Sequence, residues 1–209
     1  MDKDLTKEIY KHIKSEILDG NYQGNDKISE RHISEIFNTS RTTVRNAINL
    51  LEKDGWIYVK PKSGTYVAEV DLEIVKEAYI IRSILEPELL ILAYPNIDQD
   101  DINQMRANCI KMQTSNQNEY INSEYDNHRI IRKKCENKLM TKIFKELLHD
   151  YRRISFRASS QENRKERSII EWTKIIDAIE SKQIYLAKQY LQQHIANSSE
   201  AFWNEINHK

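Results

Sequence analysis

The most restrictive stretch of this 209-residue chain lies between Ser29 and Val67, where a short helix, a tight break, a longer helix and one hairpin follow one another. Ser29 is placed to cap a helix whose Ile33, Ile36 and Phe37 point one way, and Asn38-Thr39 break it. Ser40 is a second N-cap, opening RTTVRNAINLLEKD, and Gly55 suits the left-handed position that ends such a helix. At about 100° per residue, Val44, Ala47, Ile48 and Leu51 form its buried face. Arg41, Thr42, Arg45 and Asn49 take the opposite face. Upstream, Leu5, Ile9, Ile13 and Ile17 recur one helical turn apart and predict a first amphipathic helix, ending near Asp19-Gly20 before the polar turn NYQGND.

The segment WIYVKPKSGTYVAEV carries two β-branched or aromatic runs around Pro61-Lys62-Ser63-Gly64, which predicts a hairpin. Together these elements make a winged helix-turn-helix, whose longer helix RTTVRNAINLLEKD enters the major groove so that an arginine reads guanine or clamps a phosphate. Lys60 and Lys62 at the hairpin tip would then sit over phosphates or the minor groove. Lys27 and Arg31, expected at the start of the second helix, would add phosphate contacts. An arginine-bearing face alone also suits a solvated surface; the hairpin tips the reading towards DNA. Lys+Arg and Asp+Glu both number 32, so any attraction to DNA must be local.

The run ISERHISEIFNTSRTTVRNAINLLEKDGWIYVKPKSGTYV resembles the winged helix-turn-helix of GntR-type regulators, the match extending from about Ile9 to Val67. The SRTTVR core is close to the family signature. The resemblance implies DNA contacts from Arg31, Arg41, Thr42, Thr43 and Arg45, with Lys62 and Gly64 in the wing. Gln23-Gly24 replaces the Pro-Gly usual before the second helix, which bears on loop rigidity more than on contacts.

From Asp71 onward the sequence shows only helical stripes, at about 72–93 with Pro87 as a kink, 98–115, 118–135, 139–158, 163–181 and 183–206. The chain therefore reads as mainly α, with a DNA-binding domain over 1–70 and an antiparallel all-helical bundle over 71–209. A composition of 39% hydrophobic and 31% charged residues, with 4 Gly and 3 Pro, suits such a helical chain. No run approaches the roughly 18 apolar residues of a membrane span, and the amphipathic, acid-containing N-terminus is unlike a signal peptide, so a cytoplasmic protein is expected. Cys109 and Cys135 fall at apolar helical positions, which predicts buried packing in place of redox or zinc chemistry.

Polar residues interrupt the apolar stripes of this second half. Ile121, Glu124, His128, Ile131 and Cys135 share one face; Ala187, Tyr190, Leu191, His194 and Ala201 share another; Ile169, Trp172, Ile176 and Ile179 a third. A carboxylate and a histidine one turn apart, joined by a histidine from another helix, can hold zinc or a similar cation inside a bundle. The same pattern suits hydrogen-bonded core histidines.

YIIRSILEPELLILA, HRIIRKKCENKLM and WTKIIDAIESKQIYLAKQYLQQHI resemble the effector domain of the FadR-like (FCD) branch of GntR regulators, over about Val75 to Ala201. That branch often holds a metal through an acidic residue, a histidine four residues later, and two more histidines about 22 residues apart. The resemblance implies Glu124, His128 and His194 as ligands of zinc, nickel or manganese. Trp172 falls on the remaining place and cannot ligate. Two arrangements follow: a metal on three protein ligands plus an effector carboxylate, or a metal-free cavity in which Trp172 fills the space or stacks on an organic effector. Arg82, Glu124, His128, Trp172 and His194 are thus the candidate effector residues. Arg82 either faces the cavity or pairs with Glu86, and Tyr125, Tyr151 and Arg152 are further candidates for its lining.

The reading is a homodimeric regulator, a repressor, that binds a roughly palindromic double-stranded operator and answers to a small molecule, an organic acid by resemblance. The alternative is a constitutive DNA-binding dimer with a structural second domain. An enzyme built on Glu124, His128 and His194 is not expected, because there is no nucleophile motif or phosphate loop and the N-terminal domain would go unexplained.

Overall fold

A computed structural model describes residues 2–18, 20–69, 71–114, 116–144, 147 and 163–207. The chain divides into two compact units, Met1–Asp71 and Leu72–Lys209.

In the first unit, α1 (Asp2–Leu18) packs on α3 (Arg41–Lys53), and α2 (Glu30–Ile36) fills the angle beside them. Both caps form as the sequence predicts: Ser29 Oγ accepts from the backbone N–H of His32, and Ser40 Oγ from that of Thr43. Gly55 lies just past α3 at φ 65°, where a side chain would be strained. Ile9, Ile13, Ile33, Val44, Ala47, Ile48, Leu51 and Trp56 make one core. Each of the buried isoleucine, valine and leucine side chains contributes about 1.5–3 kcal/mol.

The hairpin of β2 (Ile57–Lys60) and β3 (Gly64–Val67) is present. A third strand, β1 (Lys27–Ile28), pairs with β3 in register Lys27↔Tyr66 and Ile28↔Thr65, giving the order β1-β3-β2. Lys27 therefore belongs to the sheet and not to the start of the second helix. Its ammonium lies 5.8 Å from the centroid of the Tyr66 ring. Ile36 also departs from its expected face: it is 51% exposed, while Ile33 alone of α2 is fully buried.

In the second unit, α4 (Leu72–Ala93) runs unbroken through Pro87. It is followed by a short 3₁₀ turn (Tyr94–Asn96), α5 (Gln99–Thr114) and α6 (Gln117–Lys134). A helical stretch at 138–144 follows. The rest of the helix expected over 139–158, with Tyr151 and Arg152, lies outside the described residues apart from residue 147. Two long helices close the unit, α7 (Arg164–Glu180) and α8 (Ile184–Asn207), joined through Lys182 at φ 60°. α8 packs against α4 and α7, α5 against α6 and α7, and α4 against α6. Cys109 and Cys135 are free thiols in this core. Among the described residues no helix is long and apolar enough to cross a membrane.

Candidate DNA interface and buried ionic site

Helix α3 turns Val44, Ala47, Ile48 and Leu51 inward, which leaves Arg41, Thr42, Arg45 and Asn49 on its open side. Thr43 does not join them. It is 5% exposed, and its hydroxyl lies 3.0 Å from Ser40 Oγ, so its side chain serves the cap. Two of the expected DNA-contacting arginines are held by carboxylates: Arg45 Nε donates to Glu30 at 3.0 Å and Arg31 Nε to Glu35 at 2.8 Å. Arg45 is still 67% exposed, so the pairing orients the guanidinium without burying it. In the wing, Lys62 stands at the turn with φ 61° and Gly64 at φ 138°. A Cβ on Gly64 would fall 2.7 Å from Cε of Lys27, which ties the glycine to the close approach of β1.

The polar residues singled out in the second half converge. Trp172, wholly buried, packs against two histidine rings, 4.8 Å from His128 and 5.2 Å from His194 by centroid. The histidines themselves are 5.4 Å apart. Glu124 Oε1 accepts from Ser168 Oγ at 2.6 Å and lies 3.5 Å from His194 Nε2. Arg82 is fully inside, 1% exposed, and pairs with Glu86 at 3.1 Å, so burial and the local ion pair occur together.

Around these lie Glu86, named in the sequence only as a partner of Arg82, and Arg132, Arg164, Ser168, Glu171 and Asn197, which the sequence reading passed over. Glu86 is the hub of one half: it accepts from Arg82, from His128 Nδ1 at 3.0 Å and from Arg132 at 3.3 Å. Glu171 is the hub of the other, meeting His194 Nδ1 at 2.7 Å, Arg164 at 3.0 Å and Asn197 at 2.6 Å. Arg164 also donates to Ser198 at 2.6 Å. The spacing carried a signal, since Arg132 follows His128 by one turn and Arg164, Ser168 and Trp172 repeat at one-turn intervals. Tyr125 lies under Arg132, its ring 4.9 Å from the guanidinium carbon.

These contacts fix the charge states. Burial pushes the Glu86 carboxyl upward, but Arg82, His128 and Arg132 outweigh it and hold the group well below the usual carboxylate range. Glu171 is brought to about 2 in the same way, against burial, by His194, Arg164 and Asn197. Burial lowers His128 to about 4 despite the attraction of Glu86, with Arg82 and His194 adding to the fall. His128 is therefore neutral at pH 7; Nδ1–H donates to Glu86, and Nε2 is left to accept from Arg82 Nη2 at 3.4 Å.

A pH dependence follows. Between pH 6.5 and about 4 the unfolded chain protonates its histidine and the folded chain does not, so stability falls as pH falls through that window. The depressed carboxyls then remove more stability below about pH 4. Between pH 7 and pH 5 the expected loss from His128 alone is on the order of 2 kcal/mol. Urea unfolding of the second unit at pH 7 and pH 5 reads it, and a His128→Gln chain should show a smaller difference.

An open pocket of about 300 Å³ between α7 and α8 is lined by Arg167, Ile170, Glu171, Lys174, Tyr190, Gln193 and Asn197. Glu171 reaches from it to His194, and Asn197 donates to Glu171. Inside, the gap bounded by Glu86, Leu89, His128, Ile131, Arg132 and Leu191 is too tight for a water molecule.

A winged helix-turn-helix with a basic reading face, joined in one chain to a helical unit with a buried ionic site, defines a DNA-binding transcription regulator with an effector-type second domain. Residues 5–67 match the description "Bacterial regulatory proteins, gntR family" and residues 77–197 match "FCD domain". The chain belongs to the GntR family, in its FCD-containing branch. It is 25% identical to the Exu regulon transcriptional regulator of Escherichia coli K12, over 96% of this chain and 85% of that protein. It is also 22% identical to the uncharacterized HTH-type transcriptional regulator YdhC of Bacillus subtilis 168, over 92% and 88%. In fold it resembles the solved structure of E. coli McbR/YncC, with TM-score 0.75, 17% identity and coverage of 97% and 98%.

Proposed function

We propose that this chain is a cytoplasmic repressor that binds a roughly palindromic operator as a homodimer and changes its hold on DNA when a small organic acid enters the helical unit. The observation that carries this reading is the ionic site. Arg132 Nη2 and the indole N–H of Trp172 are buried and have no acceptor among the described residues. Such donors cost about 1–3 kcal/mol each unless an acceptor arrives, and carboxylate oxygens supply one. A bundle selected for stability alone would gain from apolar residues at Arg82, Glu86 and Arg132. The open pocket beside Glu171 adds two cations, Arg167 and Lys174, on the outer side of the same site.

The test titrates a panel of mono- and dicarboxylates and sugar acids against the melting temperature and against operator affinity. One of them is expected to raise the melting temperature and to change operator affinity by about 5–150-fold, as couplings of 1–3 kcal/mol do. Arg132→Met should remove both responses. The tight interior gap favours a second reading, a constitutive DNA-binding dimer whose helical unit senses nothing. A panel in which neither quantity moves would establish that reading in place of the first.

The dimer has a candidate surface. Ile80, Ile84 and Leu92 of α4 are 52%, 61% and 49% exposed and fall along one face of the helix. A two-fold protein suits a two-fold site. Ile84→Glu is expected to weaken self-association by about 100-fold or more, as a charge buried without a partner does in an apolar interface. Analytical ultracentrifugation checks it, and an unchanged dimer would remove α4 from the interface.

A further inference from the structure

We propose that the buried site of this chain works without a metal ion, with the guanidinium of Arg82 as its resident cation and the indole of Trp172 standing where a fourth ligand would be. The residues that the FCD resemblance offers as ligands are brought together, but their lone pairs do not meet at a point. Among the described residues no three of His, Cys, Asp and Glu are placed to hold a metal.

Three features say why. First, both nitrogens of His128 are committed: Nδ1 to Glu86 at 3.0 Å, and Nε2 towards Arg82 Nη2 at 3.4 Å. A metal bound at about 2.1 Å from Nε2 would overlap that guanidinium nitrogen, so the two exclude each other. Second, Trp172 packs against both histidine rings and presents only an N–H, which donates and never ligates. Third, the charges already balance. Arg82, Arg132 and Arg164 face Glu86, Glu124 and Glu171, so a divalent ion would leave two positive charges uncompensated in a buried site.

Arg82 thereby takes over what a metal would do at this place. It supplies a fixed positive charge, and its hydrogen bond sets the tautomer of His128 from the Nε2 side. A guanidinium cannot dissociate or be removed by a chelator. Ligand binding in this domain is then insensitive to metal supply.

The test is metal content, which is read independently of any effector. Full-length protein is dialysed against manganese, nickel and zinc in turn, then freed of loosely held ions and measured by elemental analysis. Wild type is expected to keep less than about 0.1 equivalent of each, with a melting temperature that EDTA does not move. The double variant Arg82→Ala, Trp172→His removes the resident cation and restores a ligand. It is expected to take up about one equivalent, lost again when His128→Ala is added.

About one equivalent in the wild type, lost in His128→Ala, would overturn the proposal. So would a folded double variant, checked by circular dichroism, that takes up none, because Arg82 and Trp172 would then not be what excludes the ion. The wild-type measurement stands on its own if the double variant does not fold.

Discussion

Replacing Arg45 by alanine is expected to abolish specific operator binding while leaving the fold intact. The side chain projects from the open face of α3, 67% exposed, and its carboxylate partner among the described residues is Glu30. Such a pair contributes about 0–1 kcal/mol, so the unfolding transition should hardly move. On DNA, a bidentate contact to guanine is worth about 1–3 kcal/mol, and a dimer loses it at both half-sites, which multiplies to roughly 30-fold or more in affinity. A gel-shift titration at fixed salt, with operator and unrelated duplex side by side, reads the difference. Unchanged operator affinity would remove Arg45 from the reading face. Glu30→Gln is the useful companion, because it frees Arg45 without deleting it.

Glu86→Gln is expected to destabilise the helical unit by about 3–5 kcal/mol, the usual result of removing one partner from a buried ion pair. The carboxylate is 2% exposed and holds three groups from two helices, Arg82 on α4 with His128 and Arg132 on α6. Glutamine keeps the shape but leaves two guanidinium groups buried with no opposite charge between them. Denaturant unfolding monitored on the full chain checks it. Adding Arg132→Met should recover part of the loss, because it removes one of the two stranded charges; a double variant no better than the single would show that Glu86 acts by shape and not by charge.

Much of the fold was legible because periodicity and caps are local. Ser40, the Val44–Leu51 stripe and Gly55 define α3 without reference to any other element. Glu124, His128 and His194 were legible as inward-facing residues because each breaks an apolar stripe, and the structure brings them together. Arg164 and Glu171 were not, since a charged residue beside an apolar stripe looks the same whether water or another helix faces it. Only the approach of α8 against α7 decides that. The pairing of β1 was hidden for a related reason: two residues carry no alternation, and the strand exists only because β3 lies beside it. Thr43 was assigned to DNA by family position, while the local geometry gives its hydroxyl to Ser40.

That short strand changes the thermodynamics of the wing. A hairpin attached only through its two ends would be free to sway, and gripping DNA would require it to be stilled. Here β3 is the central strand, bonded on one side to β2 and on the other to a segment that leads directly into α2. The tip is therefore oriented when the domain folds, and the loss of freedom falls on folding, not on the encounter with the operator. Loosening the pairing of β1 with β3 would move that loss back to the encounter and weaken operator binding.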